Sequence, residues 1–237
     1  MVELHLAARD IRDVRVLDAF RSVPRAAFVP DELAAHAYED TPLPIGDGQT
    51  ISQPYIVAVT AEAMALRGGE RVLEIGTGSG YAAAVLSRLA REVFTVERIE
   101  ALADTARERL ARLGFTNVYV RAGDGSLGWP EFAPYDAIAV SAGGPRVPDA
   151  LREQLVIGGR LVIPVGATEA GQQLVRVTRV SSTRFQEESL GSVRFVRLIG
   201  EQAWDDDGES GVSEASRETP SAGAPPARRS RPAAGGR

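Results

Sequence analysis

Val72-Leu-Glu-Ile-Gly-Thr-Gly-Ser-Gly80 is the stretch on which the fold turns. It begins as a short apolar strand, Arg71 to Ile75, and opens into a helical pattern, Tyr81 to Ala90. Glycines between a strand and a helix permit a tight turn, close approach of backbone to a ligand, and close helix–strand packing. Dinucleotide enzymes share such a turn, so alone it is weak. Two details separate the cases. The spacing is Gly-x-Gly-x-Gly, which takes the third glycine out of the pyrophosphate register. Glu74 stands just before Gly76, and a carboxylate there repels a pyrophosphate but suits a ligand with an ammonium group. The sign of the charge favours S-adenosylmethionine over NAD.

Working outward, strands and helices alternate. Glu92 to Glu97, Asn117 to Arg121, Tyr135 to Ser141 and Gly159 to Val165 read as strands. Ile99 to Leu113 and Val147 to Leu155 read as helices between them. This order predicts an α/β fold, a doubly wound and mostly parallel sheet covered on both faces. Gln172 to Ile199 carries two further strand-like runs, Leu174 to Val180 and Val193 to Leu198, with no helix between. They predict an antiparallel hairpin at the sheet edge and seven strands in all. Upstream lies a helical extension: an amphipathic helix from Ile11 to Arg21, a loop from Asp40 to Gln53, and a helix from Tyr55 to Leu66 beginning near Pro54. Glu97 ends a strand about twenty residues past the loop, where a carboxylate accepts both ribose hydroxyls of a nucleoside. Asp124, in Gly123-Asp-Gly125 after the next strand, is placed to accept the adenine amino group. Asp136 begins its strand at the opposite end of the sheet and reads as structural.

Composition narrows the function classes. The chain has 237 residues, 44% hydrophobic and 25% charged, enough for one packed domain, expected over 1–204. From Asp205 to Arg237 a single Val stands among Gly, Pro, Ser, Ala, Glu and Arg, so 205–237 is expected to be a disordered tail. There is no cysteine and no lysine, which removes thiolate and Schiff-base chemistry. Two histidines far from every motif leave no metal cluster, so no metal is expected. A net charge of −5 makes nucleic acid an unfavoured partner. No apolar run is long enough for a bilayer and no secretory pattern opens the chain, so a cytoplasmic protein, with no membrane partner, is expected.

The residues also carry a family resemblance. The chain resembles protein-L-isoaspartate (D-aspartate) O-methyltransferases from about Val23 to Gly200. The matching segments are Val23-Pro-Arg25, Phe28-Val-Pro30, Leu43-Pro-Ile-Gly46, Gly48-Gln-Thr-Ile-Ser-Gln-Pro-Tyr55, Leu73 to Tyr81, Val96-Glu-Arg98, Gly123-Asp-Gly125 and Val162-Ile-Pro-Val-Gly166. Gly48 to Pro54 is the specific one, because general methyltransferases share only the cofactor loop. The resemblance implies the Rossmann-like class I methyltransferase form of this seven-stranded sheet, and that Ser52 is the active-site residue. It implies S-adenosylmethionine as cosubstrate and isoaspartyl-containing proteins and peptides as partners, with a monomer expected. Expected cofactor contacts are Glu74, Ile75, Gly76, Thr77, Gly78, Ser79, Gly80, Glu97, Arg98, Gly123, Asp124 and Gly125. Thr50, Ile51 and Gln53 around the serine, with Val196 and Leu198 of the last strand-like run, are the candidate substrate contacts. Where the family usually has Thr-Ala-Ala, this chain has Ser141-Ala-Gly-Gly144, and the two glycines are expected to loosen a loop near the substrate.

The implied chemistry suits the composition. A carboxylate is ionised at neutral pH, with a free pKa of about 4, and needs no strong base before it attacks a sulfonium methyl. Rate then rests on holding oxygen and methyl in line. A neutral hydroxyl such as Ser52 can orient a carboxylate that must lose its charge. The reading is therefore repair methylation of damaged aspartyl residues through a succinimide. Two alternatives remain: an aspartyl O-methyltransferase dedicated to one peptide natural-product precursor, and a cofactor-binding module without turnover.

Overall fold

The computed structural model describes residues 1–168 and 171–205. Of the tail expected at 205–237, only Asp205 falls within the described residues. After a helical turn at Val2–Ala7 come α1 (Val14–Ser22), a hairpin of β1 (Leu43–Gly46) and β2 (Gln49–Ile51), and α2 (Pro54–Met64). The alternating part follows as β3 (Arg71–Ile75), α3 (Tyr81–Leu86), β4 (Glu92–Glu97), α4 (Glu100–Arg112), β5 (Val118–Ala122), β6 (Tyr135–Val140), α5 (Asp149–Glu153) and β7 (Leu155–Val165). β8 (Gln172–Arg179) and β9 (Phe185–Val193) close it.

Seven strands form one sheet in the order β5-β4-β3-β6-β7-β8-β9. The first five run parallel, and β8 and β9 run antiparallel at the edge. The chain winds outward from β3 through β4 to β5, then returns to lay β6 on the other side of β3. That reversal opens a crevice at the carboxyl ends of β3 and β6, where such sheets bind ligands. Strand parity sorts the side chains. Val72, Val93, Ala137 and Ala139 face a core shared with α1, α2 and α3, whereas Leu73, Ile75, Phe94, Ile138 and Val140 face a second core with Leu151 of α5. Each fully buried Leu, Ile or Val contributes about 1.5–3 kcal/mol over an exposed one, so the two-sided burial of β3 and β6 anchors the crevice. The same parity turns Glu74 inward, toward α2 and α3.

Three local expectations need correction. The second edge strand is Phe185–Val193, and of the run expected at Val193 to Leu198 only Val193 belongs to a strand. Edge strand β9 is exposed along most of its length and so lacks the apolar alternation that was sought. The fifth parallel strand starts at Leu155, which had read as helix. Gly158, at φ 86°, looks like a turn in sequence but sits at a register shift against β6 inside the strand. The loop Asp40 to Gln53 contains the β1–β2 hairpin. Asp47 (φ 50°) and Gly48 (φ 69°) give its turn the two positive φ values of a type I′ hairpin.

Candidate active site

The glycine loop lies at the crevice, held by backbone bonds. Gly76 N–H donates to Val96 O (2.8 Å), Gly80 N–H to Thr77 O (2.8 Å), and Gly78 N–H to Glu97 Oε2 (2.9 Å). Gly78 has φ 52°, and a Cβ there would meet Ile45 of the hairpin at 3.2 Å. Gly80 has φ 88° and packs on Leu110 of α4. Glu97 also accepts from Ile99 N–H (3.0 Å). Both its oxygens are thus fixed by backbone donors, and each keeps a lone pair for a ligand.

Around this loop is an open cleft of about 850 Å³. Ile75, Gly76, Thr77, Gly78, Ser79, Glu97, Arg98 and Gly125 line it, and so do Thr50, Ile51, Ser52, Val196 and Leu198. Gly80, Gly123, Asp124, Gln53 and Glu74 do not. Asp124 instead ties chain to chain. Its Oδ1 accepts from Ser126 N–H (2.8 Å) and its Oδ2 from Glu201 N–H (2.8 Å), which pins the segment after β9 onto the sheet end. Gly125 leaves no room for a side chain, since a Cβ would come within 2.3 Å of Ile75 Cγ2.

A second groove adjoins the cleft, lined by Pro42, Thr50, Ser52, Gln53, Ile56, Ser141 and the run Ser192 to Val196. A third, small cavity runs from there inward, past Ile56, Thr60 and Phe195, to Glu74. Ser52 and Ser141 line all three spaces. Ser141 carries no motif. Its sequence signals are its place just past the carboxyl end of β6, beside the topological switch, and its position where the family usually begins Thr-Ala-Ala.

Ser52 owes its place to long-range bonds. The β1–β2 hairpin folds back so that Leu43 opposes Ile51. Asp40 accepts from Tyr55 N–H at the first turn of α2 (2.9 Å) and from the Gln53 amide (2.9 Å), and pairs with Arg9 (3.2 Å). One carboxylate therefore ties the residues just after Ser52, Gln53 and Tyr55, to the chain ahead of the hairpin. Beneath it, the buried Arg25 guanidinium donates to Ala37 O (2.8 Å) and lies 4.9 Å from the Tyr81 ring. Burial holds the Arg25 pKa down and pushes that of Tyr81 up.

The run Val193 to Leu198 forms the opposite wall. Gly143 N–H donates to Val196 O (2.7 Å), Leu198 N–H to Gly143 O (2.9 Å), and Phe195 N–H to the Gln172 side chain (2.7 Å). Gly143 and Gly144 do not loosen this region. A Cβ at Gly143 would strike Gln172, and Gly144 N–H donates to Pro164 O (3.0 Å), so the glycines permit tight packing.

Glu74 is fully buried. Its Oε2 accepts from Thr95 Oγ1 (2.6 Å), which in turn lies 2.6 Å from Thr77 Oγ1 in the glycine loop. Thr95 has one hydroxyl proton; with that proton on Glu74, Thr77 is the donor to Thr95. Glu74 Oε1 has no partner and belongs to the small cavity. Burial, helped by the nearby charge of Glu97 and opposed by the Thr95 bond, pushes its pKa up to about 8.

This arrangement matches known proteins. The sequence profile of the protein-L-isoaspartate(D-aspartate) O-methyltransferase family covers residues 1–203. The chain belongs to this family. It is 60% identical over 204 residues to protein-L-isoaspartate O-methyltransferase 2 of Marinobacter nauticus, covering 86% of this chain and 93% of that one. It is 61% identical over 204 residues to protein-L-isoaspartate O-methyltransferase 1 of Rhodopseudomonas palustris, covering 86% and 83%. A solved protein-L-isoaspartate O-methyltransferase superposes with a TM-score of 0.77 at 33% identity, over 86% of this chain and 67% of that one. A putative Plasmodium falciparum protein-L-isoaspartate O-methyltransferase in complex with S-adenosyl-L-homocysteine superposes with 0.73 at 26% identity, over 84% and 96%.

The family member described here is an S-adenosylmethionine-dependent methyltransferase. Its residues suit that group. The glycine cradle admits close backbone approach, and Glu97 offers free lone pairs at the end of β4. Among the described residues no group of three or more His, Asp or Glu is placed to hold a metal, and no helix is long and apolar enough to cross a membrane.

Proposed function

We propose that this enzyme transfers a methyl group to the α-carboxylate of L-isoaspartyl, and of D-aspartyl, residues in damaged proteins, and so starts their repair. One observation carries the reading: Ser52 stands where the cofactor cleft meets the groove. When bound in the cleft, S-adenosylmethionine supplies an electrophilic methyl on a sulfonium. The roles of the lining residues follow from what each can donate or accept. Gly76, Gly78 and Ser79 take the methionyl end, Glu97 the ribose hydroxyls, and Gly125 with Ile75 the adenine plane.

On the acceptor side, the Ser52 hydroxyl donates to the carboxylate and aims one oxygen at the cleft, with Ser141 facing the same junction. Thr50, Ile51, Gln53 and Val196 offer backbone groups to an extended peptide, which reads main chain in preference to side chains. A positive methyl donor and a negative acceptor both become neutral on transfer. Apolar walls such as Ile56, Val57 and Phe195 disfavour the separated charges more than the transition state, and so assist the step. The next backbone nitrogen then attacks the ester carbonyl, a C–N bond forms as the C–O bond breaks, methanol leaves with the amide proton, and water opens the resulting succinimide to aspartyl and isoaspartyl forms.

The catalytic unit in this reading is residues 1–204, acting in the cytoplasm. In this reading it acts as a monomer. The test uses matched isoaspartyl and aspartyl peptides with labelled S-adenosylmethionine. The expected result is base-labile label in the isoaspartyl peptide alone, and a loss of turnover of about 10²-fold or more in Ser52→Ala with cofactor affinity kept. Equal methylation of the two peptides overturns the reading.

A further inference from the structure

The groove beside Ser52 has uneven electrostatics. Its lining is apolar or neutral except for Arg194. Arg194 is exposed on the run that leaves β9, and among the described residues it makes no hydrogen bond, ion pair or ring contact. Its neighbours on the sheet edge behave differently. Arg176 is bound to Glu188, and Arg152 pairs with Glu187 (2.8 Å). Carboxylates are plentiful, with 32 Asp and Glu against 27 Lys and Arg, yet among the described residues none pairs with Arg194. Asp40, bonded to the groove-lining Gln53, is held by Arg9 and two donors of its own segment. The groove therefore presents a single unneutralised positive charge to whatever lies in it.

We infer that Arg194 is a specificity-determining residue, which selects damaged sites flanked by an acidic side chain. The inference rests on the function proposed above and adds the sequence context of the substrate. The guanidinium is a poor partner for the reacting carboxylate. A full ion pair would hold that carboxylate in its charged ground state, and the carboxylate must lose its charge to react. A flanking Asp or Glu keeps its charge throughout, so the attraction enters binding and leaves the transfer step alone. An arginine side chain reaches about two residues along an extended peptide at roughly 3.3 Å per residue. The contact thus falls within two positions of the isoaspartate. Such a half-exposed contact changes affinity several-fold, and salt weakens it.

The experiment uses isoaspartyl peptides identical except for Glu, Gln or Lys, placed one or two positions before or after the damaged residue. KM and kcat are measured for the full chain and for Arg194→Gln and Arg194→Glu. In the natural enzyme KM for the Glu peptide is expected about three- to tenfold below that of the Lys peptide on at least one side, shrinking toward unity at about 0.5 M salt. Arg194→Gln abolishes the ratio and Arg194→Glu inverts it, each read against the Gln peptide of the same variant. A natural enzyme without preference on either side overturns the inference, as does a ratio that survives both substitutions. A uniform drop in kcat/KM for all peptides in Arg194→Gln also overturns it, because Arg194 would then be holding the reacting carboxylate. If no isoaspartyl peptide is methylated at all while cofactor binds, the underlying function fails and takes this inference with it; methylation without charge dependence sinks this inference alone.

Discussion

The two walls of the site are made by different means. The proposed nucleotide wall is local: Gly76 and Gly78 lie within three residues, and their N–H groups both bond to the end of β4. The acceptor wall is assembled from afar. Asp40, paired with Arg9, holds Gln53 and Tyr55 next to Ser52, and the facing run Val193 to Leu198 is tied to Gly143 and Gln172. In the proposed function the sheet end and its glycine loop cradle a ligand that never changes. An outer layer of hairpin and run supplies the surface that meets many substrates. A substitution confined to one wall should therefore damage one binding step and spare the other.

The largest separation is expected at Gly78. Its φ of 52° and the 3.2 Å approach of Ile45 leave no relaxed conformation for a β-branched residue. Gly78→Val is expected to weaken cofactor binding by about 100-fold or more, from strain of order 1–3 kcal/mol plus the loss of close approach. Calorimetry with S-adenosylhomocysteine reads this directly, alongside circular dichroism of the fold. Unchanged affinity would mean that the loop is not the nucleotide wall.

Asp40 offers the complementary break. Asp40→Ala removes the acceptor for Tyr55 N–H and for the Gln53 amide, and frees Arg9. Losing such a cap costs about 1 kcal/mol of stability, while a misplaced Ser52 costs more in rate. The expected outcome is a fall of roughly 10- to 100-fold in kcat/KM for an isoaspartyl peptide, with cofactor affinity within about twofold of the natural enzyme. Equal losses in both would show that the walls are one unit.

The same contrast explains what could be read from sequence. Strand–helix alternation and the glycine spacing are short-range patterns, so the sheet, the loop and Glu97 were legible before any coordinates. Ser141 and Arg194 were not, because each matters only through residues brought beside it by the sheet order. Asp124 looked like a ligand by its strand-end position. Its carboxylate is used to tie Glu201 to the turn at Ser126, a contact across 77 residues that no spacing reveals. Glu74 was legible as a decisive acid, but strand parity directs it inward and away from the cleft. Edge strand β9 was misplaced because an exposed strand carries little apolar signal.

Glu74 gives the finest test, since it lies beneath both walls, joined to the loop through Thr95 and Thr77 and open to the cavity below Ser52. In the unfolded chain its carboxyl titrates near 4.5, and in the fold burial pushes it up to about 8. Between those values the folded chain holds a proton that the unfolded chain has released. Stability from this group is therefore fullest below the lower value and falls as pH rises toward the upper one, by at most about 1.4 kcal/mol per pH unit and on the order of a few kcal/mol in all. Glu74→Gln is neutral at every pH and nearly the same size, so its melting temperature should lack that component of the decline. Between pH 6 and 8.5 the natural enzyme is expected to lose several degrees more than the variant, measured without cofactor by calorimetry. If the walls are independent, the variant keeps the ratio of isoaspartyl to aspartyl methylation while this slope disappears. A natural enzyme whose melting temperature follows the variant's at every pH would mean that Glu74 is already ionised in the fold, with a counter-charge that its buried, half-partnered carboxylate does not display.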